Sequence, residues 1–132
     1  SIVQSADGDY YIGTSDGMAV VCLRNGIMLS QTIDGVRYAQ SLSADRKGNI
    51  AAVTAEGSLY ILNDQKLLYE IPEKDLKYSA CSFDADGILY AGTTDGRVVT
   101  YNISEDNADK VREIPSGDFT TINEIYFMEE NV

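Results

Sequence analysis

The residues of this chain that could do chemistry are its acids and two cation–tyrosine pairs. Histidine is absent from all 132 residues. With it go Ser-His-Asp and Cys-His nucleophilic arrangements and histidine-ligated zinc. The many serines have no partner base. Neighbouring carboxylates such as Asp84 and Asp86 are close enough in sequence for acid–base work, but each stands in a turn that the chain's internal repeat explains structurally. Asp84-Ala85-Asp86-Gly87 also alternates acids as a calcium loop does. Its twelfth position is Asp95 instead of a bidentate Glu, and the residues between read as a strand. Asp106 to Asp109 is only an acidic loop. We expect no catalytic residue, no metal site and no cofactor.

Arg37-Tyr38 and Lys77-Tyr78 are more suggestive, because the tyrosines stand at 38 and 78 and each pair precedes an expected strand. A cation beside an aromatic ring can hold a sugar or a carboxylate by hydrogen bonding and stacking. Arg37, Tyr38, Lys77 and Tyr78 are therefore the candidate ligand-binding residues. Packing explains both tyrosines more simply, as rings wedged between strands with the cations reaching to water. The corresponding place further on holds Phe119-Thr120-Thr121, so the pattern is not kept.

The elements that would position these residues come from a repeat. Gly8-Asp9-Tyr10-Tyr11-Ile12-Gly13-Thr14-Ser15-Asp16-Gly17 recurs as Gly48 to Gly57 and again as Gly87 to Gly96. A period near 40 with fixed internal spacing marks a repeat architecture. Gly8, Gly48 and Gly87 each follow a polar residue and open an apolar run, which is turn chemistry. Gly17, Gly57 and Gly96 each follow an acid between two apolar runs, the signal of a tight hairpin with Gly at positive φ.

Each repeat divides into four short strands. The first are expected at 2–5, 40–44 and 79–83, and the second at 10–14, 50–54 and 89–93. The third are expected at 18–23, 58–62 and 97–101, and the fourth at 27–33, 66–71 and 110–114. Pro72 and Pro115 close the fourth strands, where a missing N–H does least harm. No segment sustains a 3.6-residue period. Four strands per repeat of about 40 residues make the blade of a β-propeller, whose blades stack face to face because one twisted sheet cannot bury both faces. The expected fold is all-β: blade 1 over 1–35, blade 2 over 36–75, blade 3 over 76–118, and the start of a fourth over 119–132, with Asn123 to Met128 as its opening strand. Three blades fall short of ring closure, so we expect a propeller fragment with apolar end faces, which associates with itself or with the rest of a parent propeller.

Net charge is −11. Such a chain suits neither nucleic acid nor an anionic membrane, which select clustered Lys and Arg. Neutral sugars, other small polar molecules, cations and proteins remain as partners. Cys22 and Cys81 fall on expected strands as small apolar core residues, so they do not report the compartment. No apolar run is long enough to span a membrane as a helix.

The motif Asp7-Gly8-Asp9-Tyr10-Tyr11-Ile12-Gly13-Thr14-Ser15-Asp16-Gly17-Met18, with its near copy at Asp86 to Arg97, resembles the repeat of the two-component regulator propellers. These are extracytoplasmic sensor domains of bacterial histidine kinases and diguanylate cyclases. The middle copy departs from the pattern at Val53 and Glu56, and no Trp stands at Tyr11, Ala51 or Tyr90. Quinoprotein-like propeller repeats, which carry a similar Gly-Thr-x-Asp-Gly hairpin, are the second resemblance. The first implies a non-catalytic signal-binding module on the periplasmic or extracellular side, in a membrane-anchored parent. A scaffold propeller that only binds proteins is the alternative.

Overall fold

The computed structural model of the chain describes residues 1–73, 75–115 and 120–128. Among them are twelve strands and no helix: β1 (Ile2–Gln4), β2 (Tyr10–Gly13), β3 (Met18–Arg24), β4 (Ile27–Ile33), β5 (Ala39–Ala44), β6 (Ile50–Thr54), β7 (Leu59–Asn63), β8 (Lys66–Glu70), β9 (Tyr78–Phe83), β10 (Ile88–Thr93), β11 (Val98–Ile103) and β12 (Ala108–Ile114). They form three antiparallel four-stranded sheets, each ordered as in sequence. All twelve strands expected in the three blades are present to within two residues of their expected ends.

The pleat explains the packing. Successive side chains leave a strand on opposite faces. On one face of the first sheet, Tyr11, Met18 and Val20 pack against Ile50, Ala52 and Leu62 of the second. The other face of the second sheet carries Ala51, Val53, Leu59 and Ile61, which meet Cys81, Phe83, Leu89, Ala91, Val99 and Tyr101 of the third. The middle sheet is thus covered on both sides. That is why all of Ile50-Ala51-Ala52-Val53-Thr54 is buried and why this stretch shows no polar alternation. Each fully buried aliphatic of this kind contributes roughly 1.5–3 kcal/mol.

The hairpins after β6 and β10 share one design. Thr54 N donates to Ser58 O and Gly57 N to Thr54 O, and the same two bonds join Thr93 with Arg97 and Gly96. This is a three-residue loop whose last residue is left-handed, with Gly57 at φ +91° and Gly96 at +87°. The first sheet differs from expectation. Gly17 is not at positive φ. Thr14 N donates to Gly17 O, so the loop is one residue shorter. Gly17 is needed there for a different reason: a Cβ would stand 2.7 Å from the Ile33 carbonyl oxygen. The shortening shifts the register, so that Tyr10 lies opposite Val21 while Ile50 lies opposite Leu62.

Gly13 and Gly92 let the following segment lie directly on the sheet. A Cβ at Gly13 would meet Ala39, and one at Gly92 would stand 2.6 Å from Ile122 Cβ. In the middle repeat Val53 fills this place, and Tyr78 N of the next segment donates to Gly57 O instead.

Residues 120–128 lie on the open side of the third sheet and form no strand. Ile122 N donates to Thr93 O, the Ser79 hydroxyl donates to Ile122 O at 2.5 Å, and Phe127 meets Tyr90 edge-on at 4.8 Å. The expected opening strand at Asn123 to Met128 is therefore an extended cover without a ladder, since an opening strand pairs only with the second strand of its own blade. Phe119 and residues 129–132 lie outside the described residues.

Candidate functional site

Strand direction puts the hairpin loops after β2, β6 and β10 at the same end as the links from one sheet to the next. At that end two grooves adjoin. The first, of about 300 Å³, is lined by Gly13, Thr14, Ser15, Tyr38, Ala39, Gln40 and Ala55. The second, of about 420 Å³, shares Gln40 and Ala55 and continues past Glu56, Lys77, Tyr78, Ser79, Thr94 and Asn123. The lining mixes hydroxyls and amides with small apolar residues, the two charges of Glu56 and Lys77, and the exposed Tyr38.

Tyr38 is the residue the structure singles out. It is 56% exposed, yet its backbone sits at φ +55°. A bulky residue in the left-handed region costs roughly 1–2 kcal/mol. The conformation is held from both sides: Tyr38 N donates to Thr14 O of the first sheet, and Tyr38 O accepts from Ala55 N of the second, at 3.0 and 2.9 Å. The residue bridges two sheets and lines the first groove.

The four sequence-derived residues do not come together as two like pairs. Lys77 O accepts from Thr94 N as Tyr38 O accepts from Ala55 N. Tyr78 lies opposite Thr93 as Ala39 lies opposite Thr54. The structural partner of Tyr38 is therefore Lys77, and that of Arg37 is Leu76: the step from the second to the third repeat is 39 residues at this point. Arg37 and Lys77 are exposed. Tyr78 is 3% exposed and packs in the core between the second and third sheets, its hydroxyl 2.5 Å from that of Tyr101. Burial raises the pKa of both phenols, that of Tyr101 to about 12. The lining residues Thr14, Ser15, Gln40, Thr94 and Asn123 were not among the sequence candidates. Up-and-down strand order alone puts the hairpin loops beside the links, and this was the available signal for them.

The remaining chemical groups have structural partners. Asp84 Oδ1 accepts from Asp86 N and Ile88 N, both at 2.9 Å, and Asp45 Oδ1 makes the same contacts to Lys47 N and Asn49 N. These are Asx turns. No group of three His, Cys, Asp or Glu that could hold a metal occurs among the described residues. Cys81 is packed between Ser41 and Ala51, and burial raises its thiol to about 12. Arg97 and the Thr93 hydroxyl hold Asp95 at about 2. Arg97 also reaches Glu113 at 3.3 Å.

No family model and no curated protein matches this chain. Among solved structures, the crystal structure of a quinoprotein alcohol dehydrogenase-like protein from Bacteroides thetaiotaomicron is similar, with TM-score 0.60 and 16% identity. The match covers 83% of this chain and 32% of that one. The fold is that of a β-propeller. The three sheets are blades, stacked face to face in chain order. At this identity the likeness speaks for the fold alone. The chain spans about a third of that neighbour's length.

Proposed function

We propose that this propeller is a non-catalytic binding module that takes a neutral, hydroxyl-rich ligand, of the sugar class, at the mouth groove beneath Tyr38. The observation that carries the reading is the exposed ring of Tyr38 on a left-handed backbone pinned from two blades. Non-glycine residues in that region persist where the surroundings over-determine them, and they cluster at ligand clamps. An aromatic face with amide and hydroxyl neighbours suits a sugar ring: stacking on one side, hydrogen bonds around the rim. Gln40, Ser15, Thr94 and Asn123 supply those partners. A net charge of −11 disfavours anionic ligands.

Within this reading the module is a sensor of the two-component regulator type, on the periplasmic or extracellular side of a membrane-anchored parent. The repeat motif supports that. The similarity in fold to a quinoprotein-like protein favours a second reading, a piece of such a propeller. Against it, the chain has neither His nor Trp, and Glu56 is the one carboxylate in the described groove lining.

The test is a thermal-shift screen with neutral mono- and disaccharides and their uronic-acid counterparts. A ligand that binds only the folded state raises the melting temperature. At least one neutral sugar should do so, more than its acid, and Tyr38→Ala should remove the shift while leaving the melting temperature of the unliganded protein within a few degrees. No shift with any sugar would remove the proposal.

A further inference from the structure

We propose, building on the sugar reading of the Tyr38 groove, that the mouth holds two equivalent subsites in tandem. The ligand is then a linear chain of at least two sugar units, the second held by Lys77, Ser79, Thr94 and Asn123. The equivalence lies in the backbone. Thr14 N donates to Gly17 O, Thr54 N to Ser58 O and Thr93 N to Arg97 O, so Ser15, Ala55 and Thr94 hold one place in successive hairpins. Ala55 N donates to Tyr38 O and Thr94 N to Lys77 O, so Tyr38 and Lys77 hold one place in successive links. Gln40 and Ser79 stand two residues further along those links. The first groove therefore joins the hairpins of Ser15 and Ala55 across the link at Tyr38. The second joins the hairpins of Ala55 and Thr94 across the link at Lys77.

The grooves occupy consecutive blade junctions and meet at Gln40 and Ala55, which line both. At about 300 and 420 Å³, each lies in the lower half of the about 300–1,000 Å³ span of small-ligand sites. The hydrogen-bonding partners named for the sugar divide between them: Ser15 in the first, Thr94 and Asn123 in the second, Gln40 in both. A single ring on Tyr38 leaves the second set unused. The second groove also has a wall that the first lacks, Thr121 and Asn123 of residues 120–128. That wall is fixed in place, because Thr121 Oγ1 donates to Thr94 O at 2.9 Å and Ile122 N to Thr93 O at 3.0 Å. Gln40, Lys77, Thr94 and Asn123 are exposed, and none of these four side chains is spent on a hydrogen bond among the described residues. With Lys77 in the place of Tyr38, the second groove offers donors and acceptors but no exposed ring to stack on. One unit is thus anchored by stacking and the next by hydrogen bonds alone.

Titration calorimetry on the full chain tests the tandem, with glucose, mannose, galactose and xylose each beside its own linear disaccharide. For the sugar that binds, the disaccharide should bind about tenfold tighter than the monosaccharide, the gain expected from two or three net hydrogen bonds. In the double variant Thr94→Ala, Asn123→Ala the two affinities should converge, whereas Tyr38→Ala should weaken both together. Hydrogen exchange at the Ile122 amide, beside Asn123, should slow with saturating disaccharide more than with monosaccharide. A disaccharide that binds no tighter than its monosaccharide would overturn the tandem and leave the Tyr38 groove as a site for one ring. A tenfold gain that persists in the double variant would overturn it too. Absence of binding by every sugar would remove both the tandem and the sugar reading.

Discussion

Asp95 shows how one motif residue can be a structural element instead of a reagent. It closes the hairpin after β10, accepting from the Thr93 hydroxyl at 2.5 Å and from Arg97 at 3.0 Å. Both bonds favour the ionised carboxylate, so its pKa falls to about 2. A depressed pKa means that the carboxylate's contribution to folding is present above the unfolded value near 4 and is lost as pH falls through about 2. A carbon-detected NMR titration should place Asp95 at about 2, and Arg97→Ala should return it toward the ordinary range. An Asp95 that titrates near 4 in the parent would remove the ion pair from this hairpin. The neighbouring Gly96, at φ +87°, makes the loop possible. Gly96→Val should destabilise by about 1–2 kcal/mol through left-handed strain in a branched residue, read as a lowered denaturant midpoint. Gly57 and Gly96 were legible from the acid–glycine pair. Gly17 was not, because its paired-glycine spacing hides a one-residue deletion. The deletion shows in the strand that follows, where Gly17 and Ser58 make the equivalent bond and Val21 and Leu62 the equivalent pairing, both at a step of 41.

At the scale of elements, strand positions were readable because every blade carries the same turn chemistry at the same spacing. What was not readable is which residues of a link face outward. Tyr38 and Tyr78 stand 40 residues apart, whereas the step from the second repeat to the third is 39, so Tyr78 takes the place of Ala39, one position on from that of Tyr38 and on the opposite side of the chain. Residues 120–128 show the same limit. Their apolar pattern suits a strand, but pairing depends on a neighbour and not on pattern. What docks this segment is Gly92, whose missing side chain makes room for Ile122. Gly92→Val should push the segment off the third blade, at a cost of about 1–3 kcal/mol where the cover cannot shift. Hydrogen exchange at the Ile122 amide, now bonded to Thr93 O, should accelerate markedly. Protection that is unchanged in the variant would show that the cover is held elsewhere.

The molecule as a whole is three blades that share two apolar seams, with the middle blade covered on both faces. That arrangement follows from the repeat, and the sheet-by-sheet alternation of buried residues bears it out. The candidate site was legible only in part: the end of the propeller and Tyr38 could be named in advance, the groove's polar lining could not. Tyr38 is held in a costly conformation, and presenting its side chain at the groove is what that cost secures. Tyr38→Gly tests this directly. Relief of about 1–2 kcal/mol of left-handed strain is offset by about 0.5–1 kcal/mol of glycine backbone freedom. The variant should therefore melt at or slightly above the parent temperature. Melting curves of parent and variant, with and without the neutral sugars, give both readings at once. The variant should be at least as stable as the parent and should no longer respond to any sugar that shifts the parent. A variant that keeps the sugar response, or that melts several degrees lower, would contradict it.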